Sequence, residues 1–262
     1  MANEEVIHRE GDQHEEELST WPFIVGMSIM LAMFGFMTAF SWKLPVAGML
    51  LGGAGVVGIL ISLFGWVSEV SSKKFEAGLS KVAIIFFLLS EMALFGGLFS
   101  GYLYNMFPAP IWPPENTPAG VPPLGLALLL SIFLLSSSGT IQIAETKLEE
   151  GDSAGFSRWM LFTAVLGALF LIGQATEWSK LIKEGFTAST NAYGTFFYSI
   201  TGFHGSHVLV GIILQLFILI LALKNKIGKE RSTIVKACSY YWHFVDGVWL
   251  VVLSLIYVLP HR

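Results

Sequence analysis

The sequence predicts an all-α integral membrane protein, a bundle of seven transmembrane helices. Of its 262 residues, 54% are hydrophobic and only 13% are charged. Soluble domains carry about 25% charged residues, so a value half as large indicates lipid as the solvent. Seven apolar runs follow one another along the chain. Each has about 20 residues or more, which is enough to cross a hydrocarbon core of ~30 Å.

The first part of the chain is predicted to hold a tail and two helices. Residues 1–20 form a polar, acidic tail without the apolar stretch or cleavage site of a signal peptide. Residues 21–66 contain helices 1 and 2, because Trp21-Pro22 suits the membrane interface and a first helical turn. A polar loop is predicted over 67–81. Glycines recur along the second helix and predict close packing of another backbone: Gly48, Gly52, Gly53, Gly55 and Gly58.

Residues 82–262 are predicted to hold helices 3–7. The apolar runs cover about 82–106, 124–144, 158–177, 195–223 and 237–259. Between the third and fourth runs, residues 107–123 are rich in proline and lack Lys and Arg, which predicts a stiff extended loop. Charged loops are predicted over 145–157 and 224–236.

The distribution of basic residues predicts the orientation. Eleven of the fifteen Lys and Arg fall on the side of the amino terminus. Cytoplasmic loops carry the excess of positive charge, so we expect a cytoplasmic amino terminus, a cytoplasmic loop 67–81 and an outer carboxyl terminus. No basic stripe points to a nucleic-acid partner. Cys238 is the only cysteine, which argues against an internal disulfide or a cysteine-based metal site.

Polar side chains on three of the helices are predicted to meet inside the bilayer. An ionised Asp246 facing lipid would be costly, so it must turn inward to a partner. Residue counting from the membrane edges places Glu91, His204 with His207, and Asp246 at similar depth on helices 3, 6 and 7. We predict a structural polar layer in which Glu91 bonds to His204 or His207, and His243 or Asp246 bonds to a neighbouring helix.

Alternative roles exist for these residues. The pair His204 and His207 has metal-ligand spacing, but one pair with scattered carboxylates falls short of a dedicated site, so hydrogen-bonding struts are favoured. Glu91 is interpreted as a neutral or hydrogen-bonded structural acid, with a proton carrier as the alternative. Gln174 and Glu177 lie near the outer interface, where we expect them to snorkel or to cap a helix end. No catalytic residue and no metal site are predicted.

Several of these segments resemble the cytochrome c oxidase subunit III family. The run Tyr241-Trp242-His243-Phe244-Val245-Asp246 resembles the last helix of that family, and the run 201–208 resembles its sixth-helix signature. Ser90-Glu91 is similar to its third-helix Ser-Glu pair, whose glutamate reacts with hydrophobic carbodiimides. Residues 174–178 and 193–197 also match in order and approximate spacing. The resemblance extends from Trp21 to the end of the chain.

This resemblance implies a non-catalytic integral subunit of a haem–copper terminal oxidase, the proton-pumping and oxygen-reducing translocase of aerobic respiration. Such a subunit flanks the catalytic subunit I, stabilises it and supports proton uptake. Haem and copper are expected in the partner subunits and none in this chain. Phospholipid is expected as a structural ligand in a cleft between helices 1–2 and helices 3–7. The expected location is the plasma (inner) membrane of a prokaryote.

One departure from the family concerns the lipid. The family pattern Trp-Arg-Asp-x-x-Arg-Glu after helix 2 is replaced here by residues 66–73, without either arginine. Lipid contacts are therefore expected at Trp66, Lys73, Lys74 and Trp242. The alternatives for the whole chain are subunit III of a quinol oxidase, the smaller protein associated with nitric oxide reductase, a self-sufficient membrane transporter or proton channel, and a membrane metalloenzyme. The choice between cytochrome c and quinol depends on other subunits.

Overall fold

All the regular secondary structure in the described part of the chain is helical. A computed structural model describes residues 20–40, 43–72, 77–225, 227 and 232–261. Within these ranges the elements are α1 (Trp21–Phe40), α2 (Pro45–Ser72), α3 (Ala77–Met106), α4 (Leu124–Glu149), α5 (Ser153–Lys183), α6 (Ala192–Leu223) and α7 (Ser232–Val252). A π-helical turn (Leu253–Val258) and a 3-10 turn (Leu259–His261) follow α7. The predicted all-α fold with seven helices is confirmed.

Length and composition suit the helices to a bilayer. Six of them contain an apolar stretch long enough to cross a membrane, and α1 contains a shorter one, Phe23–Gly35. Large apolar side chains stand exposed along these helices, for example Phe86, Leu129, Ile172 and Ile213. A helix satisfies its own backbone hydrogen bonds, so such a surface is stable where lipid takes the place of water.

Several helices extend beyond the apolar runs that predicted them. The predicted loop 145–157 is reduced to a turn between Glu149 and Ser153, and α2 and α3 occupy 67–72 and 77–81. Hydropathy reports where the hydrocarbon ends, whereas a helix ends where its last turn is capped. The Asp152 side chain caps α5 by accepting a hydrogen bond from the Gly155 backbone N–H at 2.8 Å. The predicted acidic tail, apart from Thr20, lies outside the described residues.

One compact unit covers Met1–Glu76. Its two helices, α1 and α2, pack antiparallel, with Gly52 facing Gly35 and Gly48 facing Ala39. A Cβ atom added to Gly35 would collide with the backbone of Gly52. The glycines of α2 thus bring two backbones together, as their recurrence predicts.

The second compact unit covers Ala77–Arg262. Here α4 packs against α5 and α7, and α6 packs against the same two helices, so that four helices surround a common interior. The remaining helix, α3, lies against α6 and α7. Aromatic rings fill the interior, and the largest of them, Trp242 and Trp249, are fully buried. Both α6 and α7 contact three other helices of this unit, so their polar residues are well placed to reach across it.

Candidate functional site

Glu91 and His207 form a direct contact between α3 and α6. Glu91 Oε2 lies 3.0 Å from His207 Nε2, and the two side chains are 15% and 12% exposed. The other ring nitrogen, His207 Nδ1, lies 2.8 Å from the backbone carbonyl oxygen of Phe203. A carbonyl oxygen can only accept, so Nδ1 carries a proton.

Because Nδ1 of His207 carries a proton, the hydrogen bond between Glu91 and His207 can have only two forms. If the imidazole is neutral, Nε2 is an acceptor and Glu91 must donate as a carboxylic acid. If the imidazole is protonated on both nitrogens, Glu91 is a carboxylate that accepts. In either form the bond contains one proton and the pair has no net charge, which suits a place among membrane helices.

Aromatic side chains surround this pair. The imidazole of His207 lies 5.2 Å from the Phe95 ring and 4.7 Å from the Phe203 ring, measured between centroids. The Tyr241 hydroxyl on α7 donates to the backbone carbonyl of His207 at 3.0 Å. Three helices, α3, α6 and α7, therefore meet at Glu91, His207 and Tyr241.

His204 does not join this contact. Its ring is buried against Phe170 at 5.6 Å and Trp249 at 5.2 Å between centroids. Neither ring nitrogen has a hydrogen-bond partner among the described residues. The interpretation of His204 as a hydrogen-bonding strut is therefore wrong. Residues three apart on a helix differ by about 60° in direction, so His207 faces α3 while His204 faces the interior.

Of the two predicted polar residues of α7, His243 reaches α4. His243 Nδ1 lies 2.7 Å from the Ser138 hydroxyl oxygen. Asp246 is 4% exposed, and neither of its carboxylate oxygens completes a hydrogen bond within the described ranges. The structure thus separates the five predicted polar residues into a contact at Glu91 and His207, a second at His243 near Asp246, and an isolated His204.

Gln174 and Glu177 lie in a buried network that the sequence analysis missed. Both are nearly inaccessible, so the expectation of snorkelling or capping is wrong. Glu177 Oε2 accepts from Gln174 Nε2 at 2.7 Å and from the Tyr257 hydroxyl at 2.9 Å. Helix α5 continues to Lys183, which leaves Glu177 well inside the helix. Tyr257 belongs to the π-helical turn, which no sequence pattern predicted.

Two further tyrosines fix this π-helical turn. Tyr102 on α3 donates to the carbonyl oxygen of Leu255 at 2.9 Å, and Tyr193 on α6 donates to that of Ile256 at 2.8 Å. The indole N–H of Trp112, from the proline-rich loop, donates to the Tyr102 hydroxyl at 2.9 Å. These bonds supply donors to two carbonyl groups of the turn, close to the helix end where backbone carbonyls lack intrahelical partners.

The predicted lipid contacts have different outcomes. Trp242 is fully buried, its indole N–H donates to the Ser137 hydroxyl at 2.8 Å, and its ring lies against Gly167 and Gly211. Its prediction as a lipid contact is wrong, because the ring fills the interior of α4–α7. Lys73 and Lys74 lie outside the described residues, as does the side chain of Trp66.

The described ranges contain no group of three or more His, Cys, Asp or Glu side chains placed to hold a metal ion. Glu91 with His207 supplies two possible ligands, and Tyr241 reaches the backbone of His207, not the pair itself. The chemistry that this arrangement offers is the holding or transfer of a proton between a carboxyl group and an imidazole.

Comparisons with known proteins identify relatives across most of the chain. The family model described as cytochrome c oxidase subunit III matches residues 12–260. A probable cytochrome c oxidase subunit 3 of Nocardia farcinica is 41% identical over 177 residues, covering 67% of this chain and 86% of the relative. The cytochrome c oxidase subunit 3 of Synechocystis sp. is 40% identical over 181 residues, covering 67% and 74%. That of Corynebacterium diphtheriae is 38% identical over 181 residues, covering 68% and 87%.

Proposed function

Because the chain belongs to the cytochrome c oxidase subunit III family, we propose that it stabilises the catalytic subunit I of a haem–copper terminal oxidase and supports its proton uptake. In this role the chain has no active site of its own. Oxygen reduction takes place on haem and copper held by the partner subunits, and this chain takes part in aerobic respiration as a non-catalytic integral membrane subunit.

The Glu91–His207 contact is the observation that supports this role best. It joins α3 to α6 with a single proton and without net charge. Hydrogen bonds of this kind contribute about 0.6–1.7 kcal/mol inside a membrane, which fixes the relative position of two helices. A structural acid is therefore favoured over a proton carrier for Glu91, because the contact stabilises the packing of α3 against α6 within this subunit.

Phospholipid is proposed as a structural ligand of this subunit. The proposal is supported by the family and by the basic pair Lys73 and Lys74, which follows α2 directly in the sequence. Trp242 takes no part, because it is buried. Lipids retained by the purified oxidase can be identified by native mass spectrometry. We expect a bound anionic or zwitterionic phospholipid that is lost when both lysines are replaced by Glu.

The proposed location is the plasma membrane of a bacterium, with the amino terminus in the cytoplasm. The excess of Lys and Arg on one side of the seven helices supports this orientation. The relatives named above are bacterial proteins. A chain with this topology exposes the turn between α4 and α5 to the cytoplasm and the proline-rich loop to the outside.

One purification tests the function and its alternatives. The catalytic subunit should co-purify with the tagged chain in mild detergent. Its haem is detected by visible absorption and its copper by metal analysis. Oxygen consumption with reduced cytochrome c, and not with quinol, would assign the electron donor. The reverse result would indicate the quinol oxidase alternative. A chain that purifies alone and moves ions in vesicles would contradict the proposed role and indicate a transporter.

A further inference from the structure

Glu177 is a buried acid without a cation beside it. Its side chain is 2% exposed, and no ion pair within the described ranges includes it. Lys180, three residues later on α5, is exposed and lies 3.9 Å from Glu184 instead. An ionised Glu177 would therefore be a charge inside the helix bundle with no opposite charge to balance it, which is costly.

The two helices packed most closely against α5 supply no cation at this position either. The first titratable side chain of α4 is Glu145, close to the carboxyl end of that helix. On α6 the first titratable side chain other than a tyrosine is His204. Its ring lies against Phe170, seven residues before Glu177 on α5. The groups that bond to Glu177 are all uncharged.

Glu177, Gln174 and Tyr257 lie within hydrogen-bond distance of one another. Glu177 Oε2 is 2.7 Å from one end of the Gln174 amide and 2.9 Å from the Tyr257 hydroxyl. The other end of the amide makes a longer contact of 3.5 Å with the same hydroxyl. Glu177 Oε1 has no hydrogen-bond partner in the described part of the chain. A carboxylate shares its charge between two oxygens, so an ionised Glu177 would leave one of them without a donor.

The short distance between Glu177 and Gln174 favours an O–H donor. Hydrogen bonds of the N–H···O type cluster at about 2.9–3.0 Å, whereas those of the O–H···O type cluster at about 2.7–2.8 Å. The oxygen and nitrogen ends of a glutamine amide have nearly the same size, so the amide can be turned over in the same space. With its oxygen towards Glu177, the amide accepts from a carboxylic acid at 2.7 Å. Its NH₂ group then faces the Tyr257 hydroxyl.

We propose that Glu177 binds one proton and closes a ring of three hydrogen bonds with Gln174 and Tyr257. The acid donates to the Gln174 amide oxygen, the amide NH₂ donates to the Tyr257 hydroxyl, and that hydroxyl donates to Glu177 Oε2. Each group donates once and accepts once, and the ring carries no net charge. Because Tyr257 belongs to the π-helical turn, the bound proton joins α5 to the segment that follows α7.

The ring is separate from the contact on which the proposed function rests. Glu91 and His207 lie between α3 and α6, and neither bonds to a member of the ring. All three members of the ring belong to this chain. The proposal therefore holds whichever oxidase, or other assembly, the chain serves.

Infrared spectroscopy of the purified protein, with the subunits that it retains, tests the proposal. At neutral pH exposed carboxyl groups are ionised, so few bands of protonated carboxylic acids remain. Glu177→Gln should remove one such carbonyl band. That band should lie at the high-frequency end of the acid region, because the carbonyl oxygen, Glu177 Oε1, accepts no hydrogen bond. Loss of a carboxylate band, or of no acid band, would overturn the proposal.

Gln174→Leu tests the ring itself and serves also if Glu177→Gln does not assemble. The variant removes the acceptor of the acid proton, so one acid band should shift to higher frequency. Gln142→Leu is the matched control, because Gln142 is exposed on α4 and lies outside the ring. It should leave every acid band unchanged. No shift in Gln174→Leu, or an equal shift in both glutamine variants, would overturn the proposal.

Discussion

Glu91 Oε2 on α3 lies 3.0 Å from His207 Nε2 on α6, while His204, three residues earlier on the same helix, bonds to neither. This difference allows the contribution of the contact to be measured. In a double-mutant cycle of Glu91→Leu and His207→Leu, we expect a coupling of about 0.6–1.7 kcal/mol in the free energy of unfolding, because one hydrogen bond between membrane helices is lost. Unfolding of the purified complex in denaturing detergent provides the measurement.

The control cycle pairs Glu91→Leu with His204→Leu. These residues share no bond, so their effects should add within about 0.3–0.5 kcal/mol. Equal coupling in both cycles would contradict the contact. Glu91→Gln, which keeps the size of the side chain and can still hydrogen-bond, should loosen the subunit modestly and leave oxygen reduction intact. Complete loss of oxygen reduction in a normally assembled Glu91→Gln complex would contradict the structural role.

Gly211 allows the Trp242 ring to lie directly against α6. A Cβ atom at this position would lie 2.5 Å from Cζ3 of Trp242 and 3.4 Å from Cε1 of Tyr241. The Trp242 ring cannot move away without breaking its bond to Ser137. We expect Gly211→Ala to lower the free energy of unfolding by about 1–3 kcal/mol, as overpacked cores do. Thermal unfolding of the complex would measure this loss.

Gly205→Ala provides the comparison for Gly211→Ala. A Cβ atom at Gly205, on the same helix, would meet only Leu171 Cδ2 at 3.8 Å, an ordinary contact. The substitution should be neutral or stabilising by up to about 1 kcal/mol, because alanine favours helix more than glycine does. A loss of stability equal to that of Gly211→Ala would show that the ring contact is not the cause.

Tyr193 supports the π-helical turn after α7. Its hydroxyl donates to the Ile256 carbonyl at 2.8 Å in a fully buried position. Tyr193→Phe should cost about 1–3 kcal/mol, because the carbonyl loses its donor where no bulk water can replace it. Tyr104→Phe, at an exposed position on α3, should have no effect. Chemical unfolding of the two variants side by side would measure the difference, and equal stability would contradict the prediction.

The orientation can be tested by labelling introduced cysteines in intact cells. Glu115→Cys places a thiol in the exposed proline-rich loop, and Ala154→Cys places one at the exposed start of α5. A membrane-impermeant maleimide should label only the first, because the distribution of Lys and Arg puts the α4–α5 turn in the cytoplasm. Cys238 is buried and should stay unlabelled. Labelling of the cysteine at position 154 alone would indicate the opposite orientation.

Sequence patterns predicted the parts of this structure that depend on local chemistry. Hydropathy is sufficient to find seven helices, and the glycines of α2 are sufficient to predict its close packing against α1. The polar residues of helices 3, 6 and 7 were chosen by depth, and depth brought Glu91 and His207 together. The depth of a residue in the membrane does not determine the direction in which its side chain points from the helix. For this reason the surroundings predicted for His204 and Trp242 were wrong.

The network around Glu177 could not have been predicted in the same way. Its partner Tyr257 follows a change from α-helix to π-helix at Leu253, and that change rotates all later residues relative to α5. No local pattern marks the change, because the tyrosines that support it, Tyr102 and Tyr193, come from distant helices. Similarly, hydropathy cannot extend α5 to Lys183, since the last turns lie beyond the apolar run.

The close contact of two glycines with the Trp242 ring restricts which substitutions this chain can accept during evolution. Gly167 on α5 and Gly211 on α6 lie against the ring, and a Cβ at either position would overlap it. A larger residue at either glycine is therefore tolerable only together with a smaller residue at 242, and a smaller ring leaves a void unless one glycine enlarges. Among relatives, positions 167, 211 and 242 should consequently covary, and single replacements should be selected against.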